Sequence, residues 1–141
     1  MKITRVFSIF FILATLLLVS QKGYSEQGTK PAVQAAESWL NLIDAEKYPQ
    51  AYTGFSSFFK ERMTEEKWTK QVQSARSIFG KFQSRKIKDT TPTTSLPGAP
   101  DGNYVVVQYD TTFEKKKNAV ETVTVILDKD GKWGVVGYYI K

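Results

Sequence analysis

The hydrophobic positions of the chain follow three successive patterns: an almost unbroken apolar run, then helical spacing, then the alternation typical of strands. The apolar run extends from Val6 to Val19, and only Ser8 and Thr15 interrupt it. Lys2 and Arg5 precede the run and give it a short basic leader. A basic leader followed by an apolar run of this length is typical of a secretory signal peptide.

The end of the apolar run favours cleavage over membrane anchoring. A membrane-spanning helix needs about twenty apolar residues, and this run stops at Ser20. Small residues at Gly23 and Ser25 suit the positions that a signal peptidase reads, so we expect residues 1–25 to be removed and the exported chain to begin at Glu26. The expected location is periplasmic or secreted, without an integral membrane span. Cleavage after Ser20 and an uncleaved N-terminal anchor are the alternatives.

Helical spacing between residues 29 and 80 predicts three helices. Thr29 is a candidate N-cap of the first helix, because Pro31 suits a first helical turn. The apolar face of that helix is predicted at Val33, Ala36, Trp39, Leu40 and Ile43. A second, shorter helix is predicted from Tyr48-Pro49, with an aromatic-rich face at Ala51, Tyr52, Phe55, Phe58 and Phe59.

The third helix has the clearest boundaries. Thr64 is a candidate N-cap, the following Glu65 and Glu66 suit the positive end of the helix dipole, and Gly80 suits the position after the helix end. Its inner face is predicted at Trp68, Val72, Ala75 and Phe79.

Alternating and β-branched residues in the C-terminal half predict strands. The expected strands are Phe82–Asp89, Tyr104–Glu114, Ala119–Asp128 and Trp133–Ile140, with a long connection from Thr90 to Asn103 that is rich in Pro and Gly. Short segments at 115–118 and 129–132 predict hairpin loops. The predicted fold is therefore α+β, with three N-terminal helices on one face of an antiparallel meander of about four strands, in a single domain over residues 26–141.

The composition excludes several kinds of chemistry. The chain of 141 residues contains no Cys and no His, so disulfides, cysteine nucleophiles and histidine-based triads are excluded. Neither a metal site nor a cofactor is predicted. Asp128-Lys-Asp130-Gly131 resembles the start of a calcium loop, but Ile126 and Gly137 would occupy its first and last ligand positions, so a hairpin turn is the better interpretation.

The charge of the chain depends on whether the leader is counted. Three of the 20 basic residues, Lys2, Arg5 and Lys22, lie in the first 25 residues, and none of the 14 acidic residues does, so the net charge falls from +6 to +3 on cleavage. A balance of this size gives no argument for a nucleic-acid partner. Lys115-Lys116-Lys117 is interpreted as a solvated hairpin tip.

Short motifs spread along residues 36–140 resemble one known family. They are Ala36 and Trp39, the segment 44–52, Met63 with Trp68, the segment 76–80 with Arg85, and the segments 96–104, 109–113, 121–123 and 130–140. In this order they resemble the bacterial exported family catalogued as domain of unknown function 4019. The resemblance implies export and a fold similar to the nuclear-transport-factor-two-like, or cystatin-like, α+β cone, in which helices pack into a bent antiparallel sheet. It implies no activity, because fold alone does not transfer function.

Glu121 is the acidic residue of most interest. The alternation that turns Val123, Val125 and Leu127 to one face of a strand turns Glu121 to the same face. A carboxylate on an apolar face is costly unless it is paired, and Arg76 and Arg85 are the candidate partners. We expect a structural ion pair rather than a catalytic base.

Two functions from different classes remain. The first is a non-catalytic exported domain that binds a small amphipathic ligand, or a peptide or protein partner. Its candidate binding residues are Tyr48, Tyr52, Trp68, Arg76, Arg85, Tyr109, Glu121 and Tyr138. The second is an acid/base enzyme of the isomerase, dehydratase or cyclase type, with Glu121 or Asp110 as base and a pocket tyrosine such as Tyr109 as proton donor. The sequence does not indicate an oligomeric state.

Overall fold

The computed structural model describes residues 26–141, which form four helices followed by four strands. The helices are α1 (Glu26–Asp44), α2 (Tyr48–Thr53), α3 (Ser57–Lys60) and α4 (Glu65–Phe79). The strands are β1 (Phe82–Thr93), β2 (Tyr104–Phe113), β3 (Ala119–Leu127) and β4 (Trp133–Ile140). The predicted α+β class is confirmed.

The strands form one open antiparallel sheet in chain order, β1-β2-β3-β4, as a meander requires. β1 and β4 are therefore its edges. The pairing of β1 with β2 and that of β3 with β4 contain register shifts, which increase the local twist of the strands. Alternate residues of β2 are buried, and these place Val107, Tyr109 and Thr111 in the interior.

The core lies between α1 and the sheet. α1 contacts all four strands, and its residues Ala36, Leu40 and Ile43 are buried in one cluster with Val107 and Val123. These three residues recur at intervals of three and four, so a single helical face supplies the apolar surface. Burial of that face against the strands fixes where the two ends of α1 lie over the sheet.

Two predictions about the first helices are wrong. α1 already includes Thr29, which is buried inside the helix and does not cap it, and Pro31 also lies within the helix, near its beginning. The predicted second helix is split at Gly54 into α2 and α3. The split has a long-range cause: the Ser56 amide donates to the Val135 carbonyl, 2.8 Å away, and this bridge to β4 replaces a helical turn.

The predicted boundaries of α4 are confirmed. Thr64 caps the helix by accepting a hydrogen bond from the Lys67 amide at 3.4 Å, and Gly80 follows the helix end at a positive φ of 74°. The predicted inner face is correct for Trp68 and Val72 but not for Ala75, which is exposed. Arg76 is buried in its place.

β1 is longer than the sequence predicts. It continues through Pro92 to Thr93, so the connection to β2 comprises residues 94–103 only. A proline is tolerated there because β1 is an edge strand, which need not donate on both sides. The ends of β2 and β3 each differ from the prediction by one residue, and β4 has the predicted bounds.

The signal peptide predicted for residues 1–25 lies outside the described residues. Within the described part of the chain, no helix combines the length and apolar character needed to cross a membrane.

Candidate functional site

Glu121 is completely buried and is bound by side chains from four other positions. One carboxylate oxygen accepts hydrogen bonds from Arg85 Nε at 2.7 Å and from the Thr111 hydroxyl at 2.6 Å. The other oxygen accepts from the Tyr138 hydroxyl and lies 3.7 Å from an Nη atom of Arg76. The predicted pairing of Glu121 with arginine is therefore confirmed.

A second carboxylate, that of Asp44, completes the arrangement. Arg85 donates to both Asp44 oxygens from its two Nη atoms, at 2.8 and 3.0 Å, and Arg76 donates to one of them at 3.0 Å. Two guanidinium groups thus face two carboxylates. We call Asp44, Arg76, Arg85 and Glu121, with the hydroxyls of Thr111 and Tyr138, the charge cluster.

The charge cluster joins five secondary-structure elements besides β2. Asp44 is the last residue of α1, Arg76 lies on α4, Arg85 on β1, Glu121 on β3 and Tyr138 on β4. Because Asp44 follows Ala36 and Leu40 at intervals of four, it ends the buried face of α1. The cluster therefore ties both main helices to the sheet.

The cluster fixes the protonation of its members. Burial acts to lower the pKa of Arg85, but its hydrogen bonds to Asp44 and Glu121 outweigh burial and raise that pKa. Burial likewise opposes the charge of Arg76, and the contacts with Tyr138 and Asp44 raise its pKa. Burial of the hydroxyl and the charge of Glu121 raise the pKa of Tyr138 well above its ordinary value. Both arginines therefore remain charged, and Tyr138 remains a neutral donor.

One side of the cluster lines an open cleft between the end of α1, α4 and the beginning of β1. The cleft has a volume of about 610 Å³, within the range of roughly 300–1,000 Å³ found for small-molecule pockets. Its apolar lining comes mainly from Ile43, Tyr48 and Phe82. Its charged lining consists of Asp44, Glu46, Glu114, Arg76, Lys81 and Lys115. We call this space the charged cleft.

The comparison with protein families places this arrangement within a known family. The family model described as "Protein of unknown function (DUF4019)" matches residues 35–138. The chain belongs to the DUF4019 family. The matched range begins in α1 and ends in β4, so it contains every residue of the charge cluster in this DUF4019 protein. Among curated proteins, none matches the chain.

Two predicted site residues of this DUF4019 chain, Tyr52 and Trp68, make no contact with the charge cluster. The Tyr52 hydroxyl donates to the Met63 carbonyl at 2.7 Å, and the Trp68 ring packs in the core, 4.9 Å from the ring of Phe55. Tyr48 is buried and lines the charged cleft. Of the predicted binding residues, Arg76, Arg85, Glu121 and Tyr138 form the cluster and Tyr48 lies close to it. Tyr52 and Trp68 serve packing.

The two further candidates of the enzyme hypothesis occupy different environments. Asp110 is half exposed on the opposite face of β2, and one of its oxygens lies 4.0 Å from Lys88 Nζ. Tyr109 is buried, and its hydroxyl has no hydrogen-bond partner among the described residues. The structure does not bring Asp110 together with Glu121. Within residues 26–141 there is also no group of three acidic side chains that could hold a metal ion.

Sequence reasoning missed Asp44 and Thr111 as members of the cluster. Both positions carry a signal in the sequence. Asp44 continues the spacing of Ala36 and Leu40, and Thr111 continues the inward alternation of Val107 and Tyr109. A polar residue at a core-facing position indicates a buried partner, so the rule that identified Glu121 applies to these two residues as well.

Proposed function

We propose that this DUF4019 domain is a non-catalytic binding module that takes a small amphipathic ligand into the charged cleft. The observation that carries the proposal is the position of the Asp44–Arg76 ion pair, which lines a space of about 610 Å³ beside the rings of Tyr48 and Phe82. Concave sites with an apolar wall and a few fixed polar groups are typical of small-molecule binding. Since Arg76 and Asp44 are held by the cluster, their polar atoms are already oriented before a ligand arrives.

The lining of the charged cleft also constrains the ligand's charge. Three acidic residues and three basic residues line the cleft, so neither sign dominates: Asp44, Glu46, Glu114, Arg76, Lys81 and Lys115. A strongly anionic or strongly cationic ligand would meet repulsion from half of these groups. The ligand we propose is therefore neutral overall or zwitterionic, with an apolar part that packs on Tyr48 and Phe82.

The cluster geometry does not favour the acid/base alternative. A general base needs an oxygen within hydrogen-bond reach of a substrate proton. Both oxygens of Glu121 are engaged by Arg85, Thr111 and Tyr138 in the buried interior. Asp110 lies on the other face of the sheet, away from this group.

We also propose that the domain is exported and that its sheet is bent into a cone-like shape. Residues 1–25 would be the signal peptide, and the bound ligand would then be one found outside the cytoplasm. Register shifts in the β1–β2 and β3–β4 pairings support a bent, cystatin-like sheet, because such irregularities bend strands.

Native mass spectrometry of the protein purified from its own host tests the proposed function. We expect a mass corresponding to the chain with one small molecule bound. Ser77→Trp, which fills the charged cleft, should abolish that adduct. Ser74→Trp is the matched control, because Ser74 is an exposed serine of the same helix that does not line the cleft.

Two outcomes contradict a ligand in this cleft: wild-type protein without an adduct, and an adduct that Ser77→Trp retains. A copurifying peptide would instead favour the protein-partner alternative. For that alternative the relevant surface is the apolar groove between α4 and the edge strand β4, lined by Phe59, Phe79 and Ile140 among others.

A further inference from the structure

The outer edge of β4 carries backbone groups that no strand pairs. β4 is the last strand of the sheet, and within it only β3 lies beside β4. Val120 and Lys141 exchange two backbone hydrogen bonds, at 2.8 and 3.0 Å. Because such pairs alternate along an antiparallel ladder, the N–H and C=O groups of Tyr138 and Ile140 point away from β3. Within residues 26–141 these groups bond to no other segment. An open edge of this kind is a template for pairing with another chain.

The protein itself begins an added strand at the same edge. Phe55 forms an isolated parallel bridge with Val135. The Val135 amide donates to the Gly54 carbonyl at 2.9 Å, and the Ser56 amide donates to the Val135 carbonyl at 2.8 Å. The pairing ends there, because the chain enters α3 at Ser57. The edge of β4 therefore accepts a further strand at Val135, and the rest of the edge, toward the end of β4, stays open.

An apolar groove lies beside the open part of this edge, between α4 and β4. It has a volume of about 330 Å³, and none of the described residues that line it is charged. Phe79 and Ile140 line it and are half-buried, and Tyr139, which also lines it, is 53% exposed. Ile78 is 71% exposed and lies next to the lining residue Ala75 on the surface of α4, three positions further along the helix. Contiguous exposed apolar surface of this kind marks an interaction site. We call this space the β4 groove.

We propose that the β4 groove docks an extended segment of a partner protein, which adds to the open edge of β4 as a fifth strand. An added strand pairs the backbone groups of Tyr138 and Ile140, and its alternate side chains then fill the groove. Because no charged side chain lines the groove, the side chains that enter it are apolar. The β4 groove and the charged cleft share no lining residue, so this proposal does not depend on the small ligand proposed above.

A second copy of this chain fits the β4 groove less well than a segment of another protein. In a dimer that joins two β4 edges, the inward-facing Tyr138 of each copy would have to fill the groove of the other. The Tyr138 hydroxyl instead donates to Glu121 in its own charge cluster. We therefore expect a monomer in analytical ultracentrifugation. A dimer that the groove-filling Ala75→Trp abolishes would place a second copy in the groove and overturn the proposal.

Selection from a phage-displayed library of random linear heptapeptides on the purified protein tests the proposal. We expect enrichment of sequences that carry uncharged apolar side chains at alternate positions, the pattern of a strand with one face in the groove. A synthetic peptide of the enriched sequence then serves as the probe in fluorescence anisotropy. No enrichment, or enrichment of charged sequences, would overturn the proposal.

Variants connect the binding of this peptide to the groove. Ala75→Trp should weaken binding by about tenfold or more, because the indole fills the space beside the exposed Ala75. Two control variants should leave binding unchanged: Ser74→Trp, at an exposed serine that does not line the groove, and Ser77→Trp, which fills the charged cleft. If the peptide binds Ala75→Trp as it binds the wild type, the binding lies elsewhere and the proposal is wrong.

The added strand makes a further demand on the backbone of both partners. N-methylation of the peptide amides that face β4, which are every second amide, should weaken binding by about tenfold, whereas methylation of the intervening amides should not. In hydrogen exchange, the amides of Tyr138 and Ile140 should gain protection when the peptide is added. Equal effects of the two methylated sets, or unchanged exchange at both amides, would show that the peptide does not extend the sheet.

Discussion

At the scale of single residues, the charge cluster places two arginines and two carboxylates almost completely out of contact with water. Glu121 is not exposed at all, and the side chains of Arg76, Arg85 and Asp44 are only 9, 10 and 13% exposed. Removing charges from water is costly, and mutual attraction compensates this cost only when the geometry is good and the remaining hydrogen bonds are satisfied. The cluster meets both conditions, with bidentate pairing of Arg85 and two hydroxyl donors on Glu121.

Glu121→Gln should destabilise the protein strongly. The substitution leaves two guanidinium groups facing one carboxylate, and breaking a buried pair costs about 3–5 kcal/mol. The midpoint of denaturant unfolding measures this loss. Glu66→Gln is the control, since the Glu66–Lys70 pair is mostly exposed and contributes little. An equal or higher midpoint for Glu121→Gln would contradict the structural role and revive the enzyme hypothesis.

Tyr138 makes the stability sensitive to alkaline pH. Its pKa is raised in the folded protein above the ordinary value of 10.0, so the unfolded chain loses this proton first as the pH rises. Above about pH 10 the unfolded state therefore binds fewer protons, and the free energy of unfolding should fall by up to about 1.4 kcal/mol per pH unit for this group.

Denaturant titrations of wild type and Tyr138→Phe between neutral and alkaline pH measure this effect. Above pH 10, the free energy of unfolding should fall less steeply with pH in Tyr138→Phe than in the wild type. The remaining fall should come partly from Tyr109, because burial also raises the pKa of that residue. Identical slopes in the two proteins would show that Tyr138 ionises equally in both states.

At the scale of elements, the sequence predicts what is local and misses what is long-range. Capping signals within a few residues predict the ends of α4 at Thr64 and Gly80, and local alternation predicts the bounds of β4. The division between α2 and α3 does not, because it depends on Ser56 pairing with Val135 of β4. The pairing of Asp44 with Arg85 does not follow from local sequence either, since the two residues are 41 positions apart and meet only in the folded chain. Glu121 and its two arginines were predicted from the inward position of Glu121 on β3. Asp44 was missed, although its core-facing position on α1 carries the same signal.

The contact between the α2–α3 loop and β4 can be tested at a glycine. A Cβ atom on Gly134 would lie 2.8 Å from the Ser56 backbone, whereas one on Gly137 would lie 3.8 Å from Thr124, an ordinary contact distance. Gly134→Ala should therefore lower the unfolding free energy by about 1–3 kcal/mol through overpacking. Gly137→Ala, in the same strand, should have little effect.

Hydrogen exchange provides the second measurement for this pair of variants. The Ser56 amide donates to Val135 and should lose protection in Gly134→Ala, because the loop must move away from β4. Retained protection together with an unchanged midpoint would show that the loop does not lie where the structure has it.

At the scale of the whole molecule, residues 26–141 should unfold cooperatively on their own. A chain of this length with one continuous core is expected to behave in two states, and without cysteine its stability should not depend on reductant. Coincident transitions by circular dichroism and tryptophan fluorescence are the measurement. Separate transitions would show that the helices and the sheet are not one folding unit.

Export gives a prediction for the molecule in its cell. If residues 1–25 are a signal peptide, the protein recovered outside the cytoplasm should have the intact mass of a chain that begins at Glu26, or at Gln21 for the alternative cleavage site. Recovery of the full-length chain from the membrane fraction would indicate an uncleaved anchor instead.

The chain order of the sheet has a kinetic consequence. Each strand pairs with its neighbour in sequence, so the sheet can form through short loop closures, which are fast. The charge cluster needs contacts across 36 and 41 residues, from Arg85 to Glu121 and to Asp44, and the desolvation it requires favours its formation after the folding transition state. Stopped-flow measurements on Glu121→Gln should then show faster unfolding with little change in the folding rate. In that case the buried charges set the lifetime of the folded state and not the time that each molecule needs to fold.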